Sequence, residues 1–176
     1  MWDAKGYFLM KPIIYLDMDG VLADFEGKAR EIFGDEWKKE IDRPNWGSFQ
    51  QYPNWFSMLD PMPDAIELYK GCVEIVGDKN QVKCLTALPH RGIISNATED
   101  KIMWARKHIS PNLRVHFGPF ARDKQHHVQH EHDVLIDDMY LNIKQWRAMG
   151  GVGIHHTSAT QSLDELARAY HLIRSE

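Results

Sequence analysis

Four short stretches carry the side chains that could act together on a phosphoester. "IIYLDMDG" runs an apolar segment into Asp17 and Asp19, with Gly20 just beyond. "QVKCLTA" ends on the hydroxyl of Thr86, "FARDKQHH" presents Lys124, and "DVLIDD" ends in Asp137 and Asp138. Carboxylates from two such ends, meeting in one crevice, repel each other unless a cation sits between them. Hard oxygen ligands point to Mg²⁺, which binds through one or two carboxylates and keeps several waters. Thr86 and Lys124 offer a hydroxyl and a point charge suited to phosphate oxygens. Together these groups fit phosphoryl transfer. Alone, Thr86 would read as a strand-end hydroxyl and Lys124 as a solvated surface charge.

The elements that must position these residues follow from hydrophobic spacing. Ile13 to Asp17 is short, apolar and β-branched, the pattern of a strand buried on both faces. Helical spacing over 24–33 puts Phe25, Ala29, Ile32 and Phe33 on one side. Residues 34–63 are aromatic and proline-rich, too apolar for disorder and too broken for regular strands. Pro63 and Asp64 open a helix, and strand "QVKCLTA", helix "EDKIMWARKHI" and strand "LRVHF" follow. "DVLID" is a further strand, "IKQWRAM" a helix and "GVGIHH" a last strand ending in His155 and His156. "SLDELARAYHLI" is a last helix, with Ser162 and Glu165 at capping-box spacing. Strands alternating with helices predict an α/β fold, a parallel sheet wrapped on both faces. In such a sheet reactive groups collect at the carboxyl edge, where three of these stretches end, with Lys124 lying just before the "DVLIDD" strand.

Composition limits the alternatives. The chain's 176 residues give room for one core and a small insert. A formal charge of −4 gives no basic footprint for gripping a duplex, though a cationic pocket for a small anion remains compatible with it. Two cysteines, Cys72 and Cys84, make no disulfide framework, and a reduced cytoplasmic setting fits best. The opening "MWDAKGYFLMK" has no signal-peptide pattern, and Met10 offers an alternative start. His126, His127, His130 and His132 are dense enough to suggest zinc. With no cysteine nearby, an exposed polar face is the expected reading.

The set "DMDGV", "LTA", "RDK" and "IDD", in that order, resembles the haloacid dehalogenase superfamily of phosphatases. The resemblance implies a Rossmann-like core, residues 1–20 and 73–176, with a small helical cap at 21–72 inserted after the first strand. It implies that Asp17 is the nucleophile, forming an aspartyl-phosphate, and that Asp19 protonates the leaving oxygen and then activates water. Gly20 would bring backbone N–H groups to the phosphate, and Thr86 and Lys124 would hold its oxygens. Mg²⁺ would be held by Asp17, the Asp19 carbonyl, Asp137 and Asp138, with Asp138 better aligned as the direct ligand and Asp137 acting through water.

Within that superfamily, "DMDGVLADFE", "NWFSMLDPMPDA", "EDKIMWARKHI" and "ARDK…LIDD" resemble the 5'(3')-deoxyribonucleotidases, including bacterial and phage members. This implies a small-molecule nucleotide substrate whose base is sandwiched by Phe25, Trp55 and Phe56, with Lys101 and Arg122 near phosphate and substrate. It also suggests a homodimer, while the charge balance and the lack of a membrane-spanning window give no expectation of a nucleic-acid or membrane partner. Cap-to-core packing is the competing role for Trp55 and Phe56. Ala87 replaces a hydroxyl residue of the animal enzymes, where "TALPHR" departs from a Thr-Ser-Pro stretch. Competing activities are a sugar phosphatase, disfavoured by the aromatic cap, and a polynucleotide 3'-phosphatase, disfavoured by the acidic balance. A nucleotide-binding module without turnover would need a broken Asp-x-Asp pair, which is intact here.

Overall fold

The computed structural model describes residues 12–40, 43–89, 92–118 and 120–173. The expectations for residues 1–9 and for Met10 lie outside that set. Five strands form one parallel sheet: β1 (Ile14–Leu16), β4 (Val82–Ala87), β5 (Val115–Gly118), β6 (Val134–Asp137) and β7 (Val152–His155). Their order is β5-β4-β1-β6-β7, so the strand carrying the first acidic pair is central. Alternation along β1 serves both faces. Ile14 and Leu16 enter the large core, while Tyr15 packs on the opposite face with Leu85, Leu135, Ile143 and Trp146.

Helices α3 (Ala65–Val76), α4 (Ala97–His108), α5 (Tyr140–Ala148) and α6 (Ala159–Ile173) connect and cover the strands. The first crossover is longer and contains α1 (Phe25–Phe33), α2 (Trp46–Phe49) and a ribbon of β2 (Lys38–Glu40) and β3 (Arg43–Pro44). The ribbon lies in the stretch expected to be irregular. The boundary expected at residue 72 falls inside α3, which packs along α6 as part of the core's helical layer. α6 also starts earlier than its sequence pattern suggested. Ser158 Oγ accepts the Gln161 N–H at 3.2 Å, whereas Ser162 is buried within the first turn and bonds His156 Nδ1 at 2.9 Å. The capping-box spacing at Ser162 and Glu165 is thus one turn inside the helix, because a hydroxyl with a buried partner serves packing instead. Among the described residues no helix is long and apolar enough to cross a membrane.

Register delivers the chemistry to one edge. Leu16 is level with Cys84 on one side and Ile136 on the other, so Asp17, Asp137 and Thr86 lie just beyond together. The other end of β1 is clamped by Asp133, fully buried, whose carboxylate accepts N–H groups of Ile13, Gln129 and His130 at 3.0, 3.0 and 3.1 Å. Asp133→Asn replaces a charged acceptor with an amide that faces N–H groups. It should lower stability by roughly 1.5–3 kcal/mol, read as a shifted urea midpoint with an unchanged slope.

Candidate active site

At the end of β1, Asp17 is 5% exposed, and its Oδ1 accepts both the Met18 N–H and the Lys124 ammonium at 2.7 Å. Its Oδ2 takes no donor among the described residues. Lys124 also reaches Asp137 Oδ2 at 2.7 Å, so one buried ammonium joins the ends of β1 and β6. Asp137 is further held by the Met139 N–H at 2.8 Å and by Asn142 Nδ2 at 3.1 and 3.0 Å. Asp138 comes next, and carboxylate oxygens of Asp17, Asp137 and Asp138 lie within 4.8 Å of one another.

Three carboxylates and one lysine leave excess negative charge where Asp17 and Asp137 are buried and Asp138 is exposed. Burial pushes the Asp17 carboxyl well above the usual carboxylate range, and Lys124 offsets this only partly against Asp137, Asp138 and Asp19. Burial and Asp137 push Asp138 up to about 6. Burial alone would lower Lys124, but Asp137 and Asp17 hold its ammonium above the ordinary lysine value. A divalent cation beside Asp17 and Asp138 would relieve these repulsions, and an all-oxygen donor set suits Mg²⁺ or a similar hard ion. Gly20 shapes the same place. Its φ of +86° favours glycine, and a Cβ there would overlap the Asp138 carboxylate.

Thr86, at the end of β4, is fully buried, and its hydroxyl accepts the Lys101 ammonium at 2.7 Å. Lys101 pairs with Asp19 Oδ2 at 2.6 Å and sits 4.2 Å from the centre of the Phe56 ring. Asp19 Oδ1 is buried with no hydrogen-bond partner among the described residues. Lys101, expected near substrate, thus holds the second acid of the pair. Ala87 ends β4, half-buried, and its carbonyl lies 3.5 Å from the Thr86 hydroxyl. The Arg122 side chain is 73% exposed, beside Asp123 and over the Phe120 ring, outside this hydrogen-bonded cluster.

The aromatics of the first crossover are placed differently from the expected base sandwich. Phe25, Trp55 and Phe56 are 8%, 0% and 1% exposed. Phe25 stacks on Phe49 and Trp55 on Phe33, with Trp37, Trp46 and Tyr52 around them. Trp55 and Phe56 have no open face on which a base could stack. The reason is size: a crossover this short builds its own core from a few large rings rather than many aliphatic ones. The histidine run gathers no metal-ligand trio among the described residues. His127 Nε2 lies 3.2 Å from the Phe117 carbonyl oxygen, and its ring meets Tyr15 and His116 edge to face.

Asn142 was missed by sequence reasoning. Its signal was a polar residue one turn into a helix, five positions after a strand-end acid, which spacing alone does not separate from a surface asparagine.

The sequence profile of the family described as 5' nucleotidase, deoxy (pyrimidine), cytosolic type C matches residues 11–173. The chain belongs to this family. It is thereby a phosphoric monoester hydrolase of the 5'-nucleotidase class. A protein of Chlorobaculum tepidum, described provisionally as a 5'(3')-deoxyribonucleotidase, is 25% identical over 189 residues, covering 96% of this chain and 91% of the relative. The haloacid dehalogenase domain of the Legionella pneumophila effector Lem4, solved as an inactive mutant, aligns with a TM-score of 0.46 at 14% identity, covering 94% of this chain and 97% of that one.

Burial of the aromatic cluster makes a prediction. Trp55→Ala should cost roughly 3–5 kcal/mol of stability in denaturant melts. It should lower kcat/KM for p-nitrophenyl phosphate and for a nucleotide together. A loss confined to the nucleotide would show that the ring meets the base.

Proposed function

We propose that this 5'-nucleotidase hydrolyses deoxyribonucleoside 5'-monophosphates through an aspartyl-phosphate on Asp17, with Mg²⁺ as cofactor. The observation that carries the reading is the asymmetric use of the Asp17 carboxylate. Oδ1 is fixed by Lys124 and the Met18 N–H, and Oδ2 is left without a donor among the described residues. A nucleophile needs one oxygen oriented and the other available.

In this reading Asp17 Oδ2 attacks phosphorus, and the bond to the nucleoside 5'-oxygen breaks. Asp19 Oδ1, buried without a partner among the described residues, supplies the proton to that oxygen and later takes one from the attacking water, while Lys101 keeps Oδ2 in place. Water then releases inorganic phosphate and regenerates the Asp17 carboxylate. Lys124 offsets the charge of the transferring group and the Thr86 hydroxyl hydrogen-bonds it, the electrostatic work on which this chemistry mostly depends. Asp17, Asp138 and the Asp19 backbone carbonyl would hold Mg²⁺, which supplies charge neutralisation for the phosphoryl oxygens when bound. Family membership and the description of the Chlorobaculum relative support a nucleotide, and a deoxy sugar in particular. The rigid aromatic core lends the crossover a stable shape from which to cover the nucleoside.

Asp17→Asn should fold normally and lose roughly 10⁴-fold or more in kcat on p-nitrophenyl phosphate, because an amide does not form the acyl phosphate. Removing divalent ions with EDTA should abolish turnover, and added Mg²⁺ should restore it. Full activity in EDTA would defeat the metal assignment while leaving the nucleophile to be judged by Asp17→Asn.

The sugar is tested by comparing dUMP with UMP at matched Mg²⁺. A deoxynucleotidase should show a preference of roughly 10-fold or more in kcat/KM for dUMP, the scale on which an apolar surface rejects an added hydroxyl. Equal values would remove the deoxy preference. Faster turnover of phosphosugars than of either would remove the nucleotide.

A further inference from the structure

Asn142 has no part in the roles assigned so far, yet it is 3% exposed and spends its amide on one carboxylate. It stands in the first turn of α5, and its Nδ2 bonds both oxygens of Asp137, at 3.1 and 3.0 Å. With Lys124 at 2.7 Å and the Met139 N–H at 2.8 Å, four contacts occupy Asp137. A carboxylate has about four lone-pair sites, so these contacts saturate it. The carboxylate of its exposed neighbour Asp138 is in the opposite state, taking no donor from another residue among those described, although its oxygens stand in the same carboxylate group.

We propose that Asn142 is a positioning residue that commits Asp137 to Lys124, and so leaves Asp17 and Asp138 as the carboxylates available to the cation. This rests on the metal-dependent reading above. The chemistry favours an amide for the task. A second lysine or an arginine could fill the same lone pairs, but its charge would repel a divalent ion a few ångströms away. A hydroxyl has a single hydrogen to donate. Asn142 satisfies Asp137 and adds no charge. Without it, two lone-pair sites of Asp137 open toward the cluster, and the ammonium of Lys124 loses the fixed partner that aims it at Asp17.

The consequence is a split between two readouts. Freed Asp137 makes the cation site more negative and better supplied with oxygens, so cation affinity rises. Misplaced Lys124 serves the transferring phosphoryl group less well, so turnover falls. A residue that merely supported the fold would weaken both.

The test uses the full chain without substrate, titrated with Mn²⁺ as a stand-in for Mg²⁺ and followed by the electron paramagnetic resonance signal of free Mn²⁺. Asn142→Leu, of similar size and without a donor, should bind Mn²⁺ roughly 3- to 10-fold more tightly than the native chain. Its kcat on p-nitrophenyl phosphate at saturating Mg²⁺ should fall roughly 10- to 100-fold. Weaker Mn²⁺ binding by the folded variant, or an unchanged kcat, overturns the proposal. If circular dichroism shows that Asn142→Leu does not fold, Asp137→Asn and Asp138→Asn decide it. Asp138→Asn should weaken Mn²⁺ binding at least about tenfold more than Asp137→Asn, and equal losses overturn the proposal. Absence of Mn²⁺ binding by the native chain is a separate result, which removes the metal reading itself and this assignment with it.

Discussion

Lys124 carries a full positive charge to a place almost sealed from water, and the arrangement around it depends on that charge being answered. Taking an ammonium and two carboxylates out of solvent is costly, and their mutual attraction compensates only when the geometry is close and the remaining lone pairs are filled. The geometry is close at both carboxylates, and the lone pairs are filled at Asp137, while Asp17 keeps Oδ2 open. The ammonium lies 2.7 Å from Asp17 and 2.7 Å from Asp137, while the Met18 N–H, the Met139 N–H and Asn142 take up other carboxylate positions. The lysine therefore fixes the lateral spacing of two strand ends and the rotamer of the proposed nucleophile at once.

The sheet makes this possible without local strain being needed. Because β1 is central and parallel to both neighbours, one register places acids from β1 and β6 and a hydroxyl from β4 along one edge. The second ammonium, Lys101, works on the other side. It comes from α4, is fully buried, and ties Asp19 to Thr86. The helix that carries it is fastened to the aromatic crossover by Trp104, whose Nε1 donates to the Leu59 carbonyl at 2.7 Å. The two lysines thus divide four polar groups into two pairs, Asp17 with Asp137 and Asp19 with Thr86. Asp138 is left outside both, exposed and beside Asp17 and Asp137.

Much of this was legible in the residue order. Apolar runs ending in Asp17, Thr86 and Asp137 required a parallel sheet with chemistry at one edge, because backbone hydrogen bonding and side-chain alternation leave few other ways to bury such strands. The identity of the acids and of Lys124 set the reaction class through charge alone. Helix ends were less legible. Ser162 had the spacing of a cap, but Ser158 caps α6 a turn earlier and Ser162 instead makes a buried contact with His156.

What tertiary structure alone decided is how each polar or aromatic group spends its contacts. Phe25, Trp55 and Phe56 have the composition of a base-stacking wall, but exposure is a property of the packed chain, and packing turned these rings into the crossover's own core. Lys101 and Arg122 carry the same charge in sequence. One is buried between Asp19 and Thr86 and the other faces solvent, a difference that the packing of each segment decides. Asn142 carried no distinctive signal until α5 swung it back over the strand it follows. Sequence determines which groups are present and the order in which strands deliver them. Desolvation, which makes a charge seek a particular partner, depends on neighbours far away in the chain and exists only once the fold has closed.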